Sequence, residues 1–168
     1  MRTILHAGCG KRNLPQHPLF EGTEIRLDID PDAEPDIVAP IQDLGDIGPF
    51  DAVYTSHCLE HVHWDDAEKA LREFHRVLNP GGFAMMMVPD LTGIQPTEDE
   101  VYKTHSGMSI TGLDMFYGYR GYTSGNPYMR HQCGFVPATL KAMMERAGFG
   151  HVMTHSVLWN LIATGVKT

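Results

Sequence analysis

The feature that most constrains this chain is a pair of apolar runs that each end in residues suited to a ligand rather than to a core. Thr3 to Gly10, TILHAGCG, passes from an apolar strand into a glycine turn, and Glu24 to Asp30, EIRLDID, ends in carboxylates. Backbone at Gly8 and Gly10 can bend tightly and approach a ligand with no Cβ in the way. A carboxylate at the end of the next strand can accept both hydrogen bonds of a ribose diol. Together they make the pattern of an α/β nucleotide-cofactor site. The segment behind the turn, KRNLPQHPLF, carries Pro15 and Pro18, which disfavours a helix there. The loop is therefore expected to offer backbone N–H groups but no helix dipole for phosphate. GCGKR also lacks Walker spacing and the third glycine of GxGxxG, which disfavours ATP and NAD.

Downstream patterning predicts one α/β domain over 1–168. The first strand is expected over Thr3 to Ala7 and the second over Glu24 to Asp30. A short third covers Ile37 to Ala39, and a buried fourth, FDAVYTS, covers Phe50 to Ser56. Ala67, Ala70, Leu71, Phe74, Val77 and Leu78 form one stripe of a helix from Asp65 to Leu78, with Asp65 as N-cap and Asn79-Pro80-Gly81-Gly82 as its stop. FAMMMV, Phe83 to Val88, reads as a fifth strand buried on both faces. Segment 91–132 is irregular, with helices expected over Pro96 to Lys103 and Ile110 to Tyr117. It carries Tyr102, Tyr117, Tyr119, Tyr122 and Tyr128, and a long aromatic connection over a sheet edge reads as a lid or binding loop. A last helix, Pro137 to Ala147, precedes a hairpin of His151 to Ser156 and Asn160 to Val166.

Bulk properties narrow the function classes. A formal charge of −8 over 168 residues, with no large basic cluster, disfavours nucleic acid as a partner. No run is long enough to cross a membrane and no basic leader opens the chain, so a cytoplasmic protein with no membrane partner is expected. Cys9, Cys58 and Cys133 have no CxxC spacing, which argues against a disulfide framework or a zinc ribbon. HCLEHVH, from His57 to His63, offers five potential metal ligands. Its glutamate is placed differently from that of HExxH, and on a helix Cys58 would point away from His57, so no metal site is expected.

Five stretches resemble the class I S-adenosylmethionine-dependent methyltransferases, in order and across nearly the whole chain. LHAGCG resembles the family's first glycine motif and RLDIDP its acidic second-strand motif. FDAVYTSHCLEHV resembles the fourth strand and its turn, LREFHRVLNPGG the helix and turn before the fifth strand, and HQCGFVPATLKAMMERAGF the run into the last helix. The resemblance implies a Rossmann-like, doubly wound α/β fold with a mostly parallel seven-stranded sheet, shortened at the N-terminus and with a helical insertion after strand five. It implies S-adenosylmethionine as cofactor, with Ala7, Gly8, Cys9 and Gly10 beside its methionine part. Asp28 would take the ribose hydroxyls, next to Ile29 and with Asp30 as the alternative. Pro40 stands where an adenine-contacting acid is expected, so Ile41, Gln42 or Asp43 would serve. Ser56 and His57 would face the transferable methyl.

Methyl transfer is an in-line displacement, so the protein must align a nucleophile and exclude water, and a hydroxyl or ammonium acceptor also needs a base. His57 and His131 are the candidate bases. His61, Tyr117, Tyr119, Arg120 and His131 are the candidate acceptor contacts, while Glu60 and His61 also read as residues that hold their turn by hydrogen bonds to backbone. TSHC after Tyr54, rather than an NPPY-type sequence, disfavours methylation of bases or planar amides. The leading reading is methyl transfer to an oxygen or nitrogen of a small molecule, with a homodimer as a possible assembly. The alternative is a non-catalytic module that binds S-adenosylmethionine or S-adenosylhomocysteine, or a subunit of a larger complex.

Overall fold

The structure, a computed structural model, describes residues 1–168. Seven strands form one sheet in the order β3-β2-β1-β4-β5-β9-β8. They are β1 (Thr3–Ala7), β2 (Thr23–Asp28), β3 (Ile37–Val38), β4 (Phe50–Ser56), β5 (Leu78–Pro89), β8 (Gly150–Val157) and β9 (Asn160–Val166). The first five pair in parallel, and β9 enters antiparallel between β5 and β8. Strand order reverses between β1 and β4, so their carboxyl ends open the crevice in which such sheets bind ligands. The expected sheet is thus realised. β2 stops at Asp28, two residues early, because the Asp28 carboxylate accepts the Asp30 N–H and turns the chain out of the ladder.

The two faces of the sheet are covered unequally. Helix α1 (Trp64–Arg76) and helix α4 (Pro137–Arg146) share one core with Leu5, Ala7, Val53, Ala84, Met86 and Val88. Burial of each large side chain here, such as Leu71 or Phe74, is worth about 1.5–3 kcal/mol. α1 begins at Trp64 behind His63, so Asp65 and Asp66 lie inside the first turn, where they complement the helix dipole, rather than at the cap. The opposite face carries Ile4, Ala52 and Tyr54, packed under Phe20 from the short 3-10 turn Pro18–Phe20. No α-helix lies between β1 and β2, as the two prolines predict.

This asymmetry corrects the expectation for the methionine strand. Met86 is fully buried against the helices, whereas Met85 and Met87 face the other way and are only half-buried. Alternation along a strand puts these neighbours on opposite faces, and only one face has helices to cover it. β5 also starts earlier than expected, at Leu78, because Leu78 pairs with Phe50 before the ladder shifts register towards Ala52 and Phe83.

Segment 91–132 differs most from expectation. Pro96 to Lys103 is not helical; its second half is strand β6 (Glu100–Lys103), paired antiparallel with β7 (Ser109–Thr111). Tyr102 stacks on Trp159 of the β8–β9 turn with centroids 5.7 Å apart, a contact that favours an extended β6 over a helix. The next helix, α2 (Gly112–Tyr117), starts two residues later than expected, because Thr111 and Asp114 form a capping box that fixes its first turn. A one-turn helix, α3 (Arg120–Thr123), and a 3-10 turn at Pro127–Met129 lead back to the sheet edge. The insertion is therefore a hairpin followed by short helices.

Candidate active site

The carboxyl ends of β1, β2 and β4, together with the insertion, enclose one cavity of about 980 Å3. That is at the upper end of the ~300–1,000 Å3 usual for small-molecule sites. Its first wall is main chain. Gly8 has φ +69°, and a Cβ there would lie 2.2 Å from Cys58 Sγ, so only glycine fits. Gly10, at φ +51°, has open space where a Cβ would be, which lets a ligand come up against the backbone.

The hydrogen bonds of this turn engage its first three N–H groups, so free backbone donors are found only further along the loop. Gly8 N and Cys9 N both donate to Leu27 O, and Gly10 N donates to Asp28 Oδ2 at 2.7 Å. The Gly8 carbonyl accepts nothing from the protein. With the Gly8, Cys9 and Gly10 amides spent inward and the Gly8 carbonyl left without a donor, the turn suits a cationic ligand group better than a phosphate. Asp28 Oδ1 accepts from Asp30 N at 2.9 Å, so each Asp28 oxygen carries one backbone bond and keeps a lone pair for a ligand. Arg26, two residues before Asp28 and on the same strand face, clamps the region by donating to Gly10 O, Ala33 O and Glu34 O. Its role went unseen in the sequence, although the i, i+2 spacing of Arg26 and Asp28 was the available signal.

Cofactor candidates Gly8, Cys9, Gly10, Asp28, Ile29, Asp30, Ile41, Gln42, Ser56 and His57 all line this cavity. Ala7 and Asp43 do not: Ala7 is fully buried in the core, and the Asp43 carboxylate accepts from Gly45 N in its own turn. Among the acceptor candidates, His61, Tyr119 and His131 line the cavity, whereas Tyr117 and Arg120 do not. Tyr117 is exposed, and Arg120 is engaged with Glu98 at 2.6 Å and with Asp114 at 3.7 Å, holding the insertion together. Trp159 and Met87 also line the cavity and went unrecognised, and Tyr102, expected as one of the aromatics of the loop, lines it too. Tyr102 reaches the cavity from a strand where a helix was expected.

The second wall is built from side chains. Leu59–His61 is a single 3-10 turn rather than an α-helical one, and it brings His57, Glu60 and His61 to one place. His57 has φ +49°, an uncommon conformation outside glycine that turns the chain sharply after β4. Its side chain is 37% exposed, with Nδ1 3.3 Å from Glu60 Oε1. Glu60 is 1% exposed, and neither of its carboxylate oxygens has a hydrogen bond. Burial works against its charge, but the facing histidines outweigh it and hold the carboxyl below its ordinary value. The Glu60 main-chain carbonyl accepts from Gln132 N and Cys133 N, which draws the end of the insertion, with His131, against the turn. His61 and His131 then meet edge to face, their centroids 5.0 Å apart.

Glu60 thus does not hold its turn through side-chain hydrogen bonds to backbone. His61 does bond backbone, at a carbonyl far along the chain: its Nδ1 is 3.2 Å from Arg130 O. His131 Nδ1 is 2.9 Å from Met115 O, and burial lowers the His131 pKa, favouring the neutral ring. Burial pushes the thiols of Cys58 and Cys133 up to about 12, with the Glu60 charge adding to it, so neither is a thiolate at neutral pH.

Comparison with known proteins settles the family. The sequence profile described as "Methyltransferase domain" matches residues 2–153. The chain belongs to the methyltransferase-domain family. It is 28% identical over 116 residues to the ubiquinone/menaquinone biosynthesis C-methyltransferase UbiE of Vibrio cholerae, a match covering 68% of this chain and 43% of that protein. The chain thus matches less than half the length of these curated relatives. Among solved structures, an S-adenosylmethionine-dependent methyltransferase from Archaeoglobus fulgidus superposes with a TM-score of 0.67 at 17% identity, over 99% of this chain and 86% of that one. The 1,6-didemethyltoxoflavin-N1-methyltransferase of Burkholderia thailandensis, solved with its substrate and S-adenosylhomocysteine, gives 0.60 at 19% identity over 99% and 71%. The fold is that of class I S-adenosylmethionine-dependent methyltransferases. No helix is long and apolar enough to cross a membrane.

Proposed function

We propose that this protein transfers a methyl group from S-adenosylmethionine to an oxygen or nitrogen of a small molecule. The observation that carries this reading is the continuity of the cavity: the glycine turn and Asp28 line one part, and His57, His131 and Tyr119 line another. S-adenosylmethionine, when bound, supplies an electrophilic methyl on a positively charged sulfur. The protein's own residues bind, align and exclude water. Asp28 accepts the two ribose hydroxyls with its free lone pairs, while Asp30 and Ile29 flank it. Ile41 and Gln42 border the adenine without the acid that Pro40 replaces. The open backbone at Gly10 and the free Gly8 carbonyl receive the amino-acid part, and Ser56 and His57 face the methyl.

His57 takes the acceptor's proton in this reading. It is the one histidine of the cluster with a substantially exposed side chain, and its Nδ1, 3.3 Å from Glu60 Oε1, leaves Nε2 free to reach the acceptor. Segment 91–132 covers the cavity with Tyr102, Tyr119 and Tyr122, a lid that sets acceptor size and keeps bulk water out. Calorimetric titration with S-adenosylmethionine and S-adenosylhomocysteine is the first test, and one site for each is expected. Methyl-labelled S-adenosylmethionine offered with a panel of small hydroxyl and amine compounds is the second. Binding of neither ligand would remove the proposal. Binding without transfer to any compound would favour a module that only retains the cofactor. A chain in which 92–131 is replaced by a short glycine linker should bind S-adenosylmethionine more weakly, and unchanged affinity would show that the segment is not cover.

A further inference from the structure

The cluster around Glu60 contains more acceptors than donors. Glu60, His61 and His131 each bring one potential ligand atom to a common point, and these atoms lie within 4.8 Å of one another. A backbone carbonyl can only accept, so the contacts of His61 Nδ1 with Arg130 O and of His131 Nδ1 with Met115 O place a hydrogen on each Nδ1. In the neutral ring the lone pair then lies on Nε2. His61 Nε2 is 3.9 Å from Glu60 Oε1, beyond hydrogen-bond reach, and both Glu60 oxygens are buried without a hydrogen bond. Lone pairs of His61 and His131 thus converge on a buried anion whose one nearby potential donor, His57 Nδ1 at 3.3 Å from Oε1, makes no aligned hydrogen bond with it, an arrangement that calls for a cation.

We propose that Glu60, His61 and His131 form a site of two imidazoles and one carboxylate for a single divalent transition-metal ion, Zn2+ foremost. Three features favour a metal over an extra proton. Each histidine is oriented by a carbonyl on its far nitrogen, the outer-shell contact that fixes metal-ligating imidazoles in the right tautomer. This donor set suits Zn2+ and its neighbours rather than Mg2+ or Ca2+, which prefer oxygen. All three residues line the cavity, so a bound ion keeps open positions facing it. The nearby thiols do not compete, since Cys133 Sγ donates to Leu59 O and Cys58 Sγ packs against Gly8 of the glycine turn. The metal site does not depend on methyl transfer. Only the use of its open positions to hold an acceptor hydroxyl or carboxylate oxygen rests on that reading.

The test uses the full chain, stripped with a chelator and titrated calorimetrically with ZnCl2, with MgCl2 as the contrast. One equivalent of Zn2+ and no Mg2+ binding are expected. Loss of an outer-shell partner alone typically weakens a site about 10–100-fold, so Glu60→Gln and His131→Ala should each weaken Zn2+ by at least about 100-fold. His155→Ala, on an exposed position of β8, should leave binding unchanged. Should Glu60→Gln fail to fold by circular dichroism, His61→Ala and His131→Ala carry the comparison. Co2+ should give visible absorption bands that the His131→Ala chain lacks. Absence of Zn2+ binding, or binding indifferent to all three ligand substitutions, overturns the proposal. Because the readout is metal binding, a failure to transfer methyl groups would count against the proposed activity and leave this site standing.

Discussion

The two walls of the cavity are built on different physical principles. The glycine-turn wall is main chain: Gly8, Cys9 and Gly10 bond to Leu27 and Asp28 across two adjacent parallel strands. The histidine wall is side chain: Glu60 and His61 come from a 3-10 turn, and His131 arrives from the end of the insertion on the Glu60 carbonyl. The first wall is rigid because hydrogen bonds of the sheet itself set its shape. The second depends on a few long-range contacts, so its chemistry can change with single residues while the fold stays intact. Substitutions in the first wall should therefore damage stability or cofactor affinity, and substitutions in the second should change reactivity.

The largest effect on folding is expected from Gly8→Ala. Its new Cβ meets Cys58 in a left-handed backbone, which should destabilise the protein by about 2–4 kcal/mol from overpacking and strain together. Gly10→Ala meets open space and should lose only about 1 kcal/mol, while still weakening cofactor binding. Thermal melts of both variants decide this, and equal destabilisation would break the contrast between a packed glycine and a ligand-facing one.

Asp28→Ala should weaken S-adenosylmethionine binding at least about tenfold, the loss of charge-assisted hydrogen bonds to two hydroxyls. His57→Ala should change that affinity by less than about threefold and lower the transfer rate by about 100-fold or more. Calorimetry and initial rates on the same preparations separate the two, and similar affinity losses would mean that the walls do not divide binding from chemistry in this way.

The smallest effect concerns a carboxylate outside both walls. Asp90, at the end of β5, accepts from Ser156 Oγ at 2.5 Å and from Thr92 N at 2.9 Å. Burial opposes its charge, the hydrogen bonds outweigh it, and the carboxyl titrates below its ordinary value. A depressed folded-state pKa means stability that is full above the ordinary aspartate range and lost as pH falls through the depressed value. Asp90→Asn should thus flatten the acid side of the stability profile and leave the cofactor affinity at neutral pH unchanged. Urea melts at several acidic pH values measure it; an unchanged slope would show that Asp90 contributes nothing to the acid response.

Much of this architecture could be read directly from residue order. β1 spans the expected Thr3–Ala7, and β4 the expected Phe50–Ser56. Gly8, Gly10 and Asp28 meet as anticipated, because apolar runs, prolines and glycines act over a few residues and adjacent strands bring their ends together. The helix expected at Pro96 failed because its partner, Trp159, lies over fifty residues away and rewards an extended Tyr102. Arg120 and Tyr117 failed as acceptor contacts because no local pattern shows which aromatic or basic side chains of a loop face inward.

By itself, the sequence determined where most strands lie, the glycine turn without a phosphate-binding helix, and the family, since each follows from short-range propensity and motif spacing. Tertiary structure alone decided three other things. It left one sheet face without helices, so that Met85 and Met87 are half-buried while Met86 is sealed. It turned the Gly8, Cys9 and Gly10 amides inward and left the Gly8 carbonyl without a protein donor. It also gathered His61 and His131 around a buried, unbonded Glu60. The reason is common to all three: each depends on which distant groups supply cover, donors or charge, and a carboxylate's environment is set by the groups folded against it rather than by those beside it in the chain.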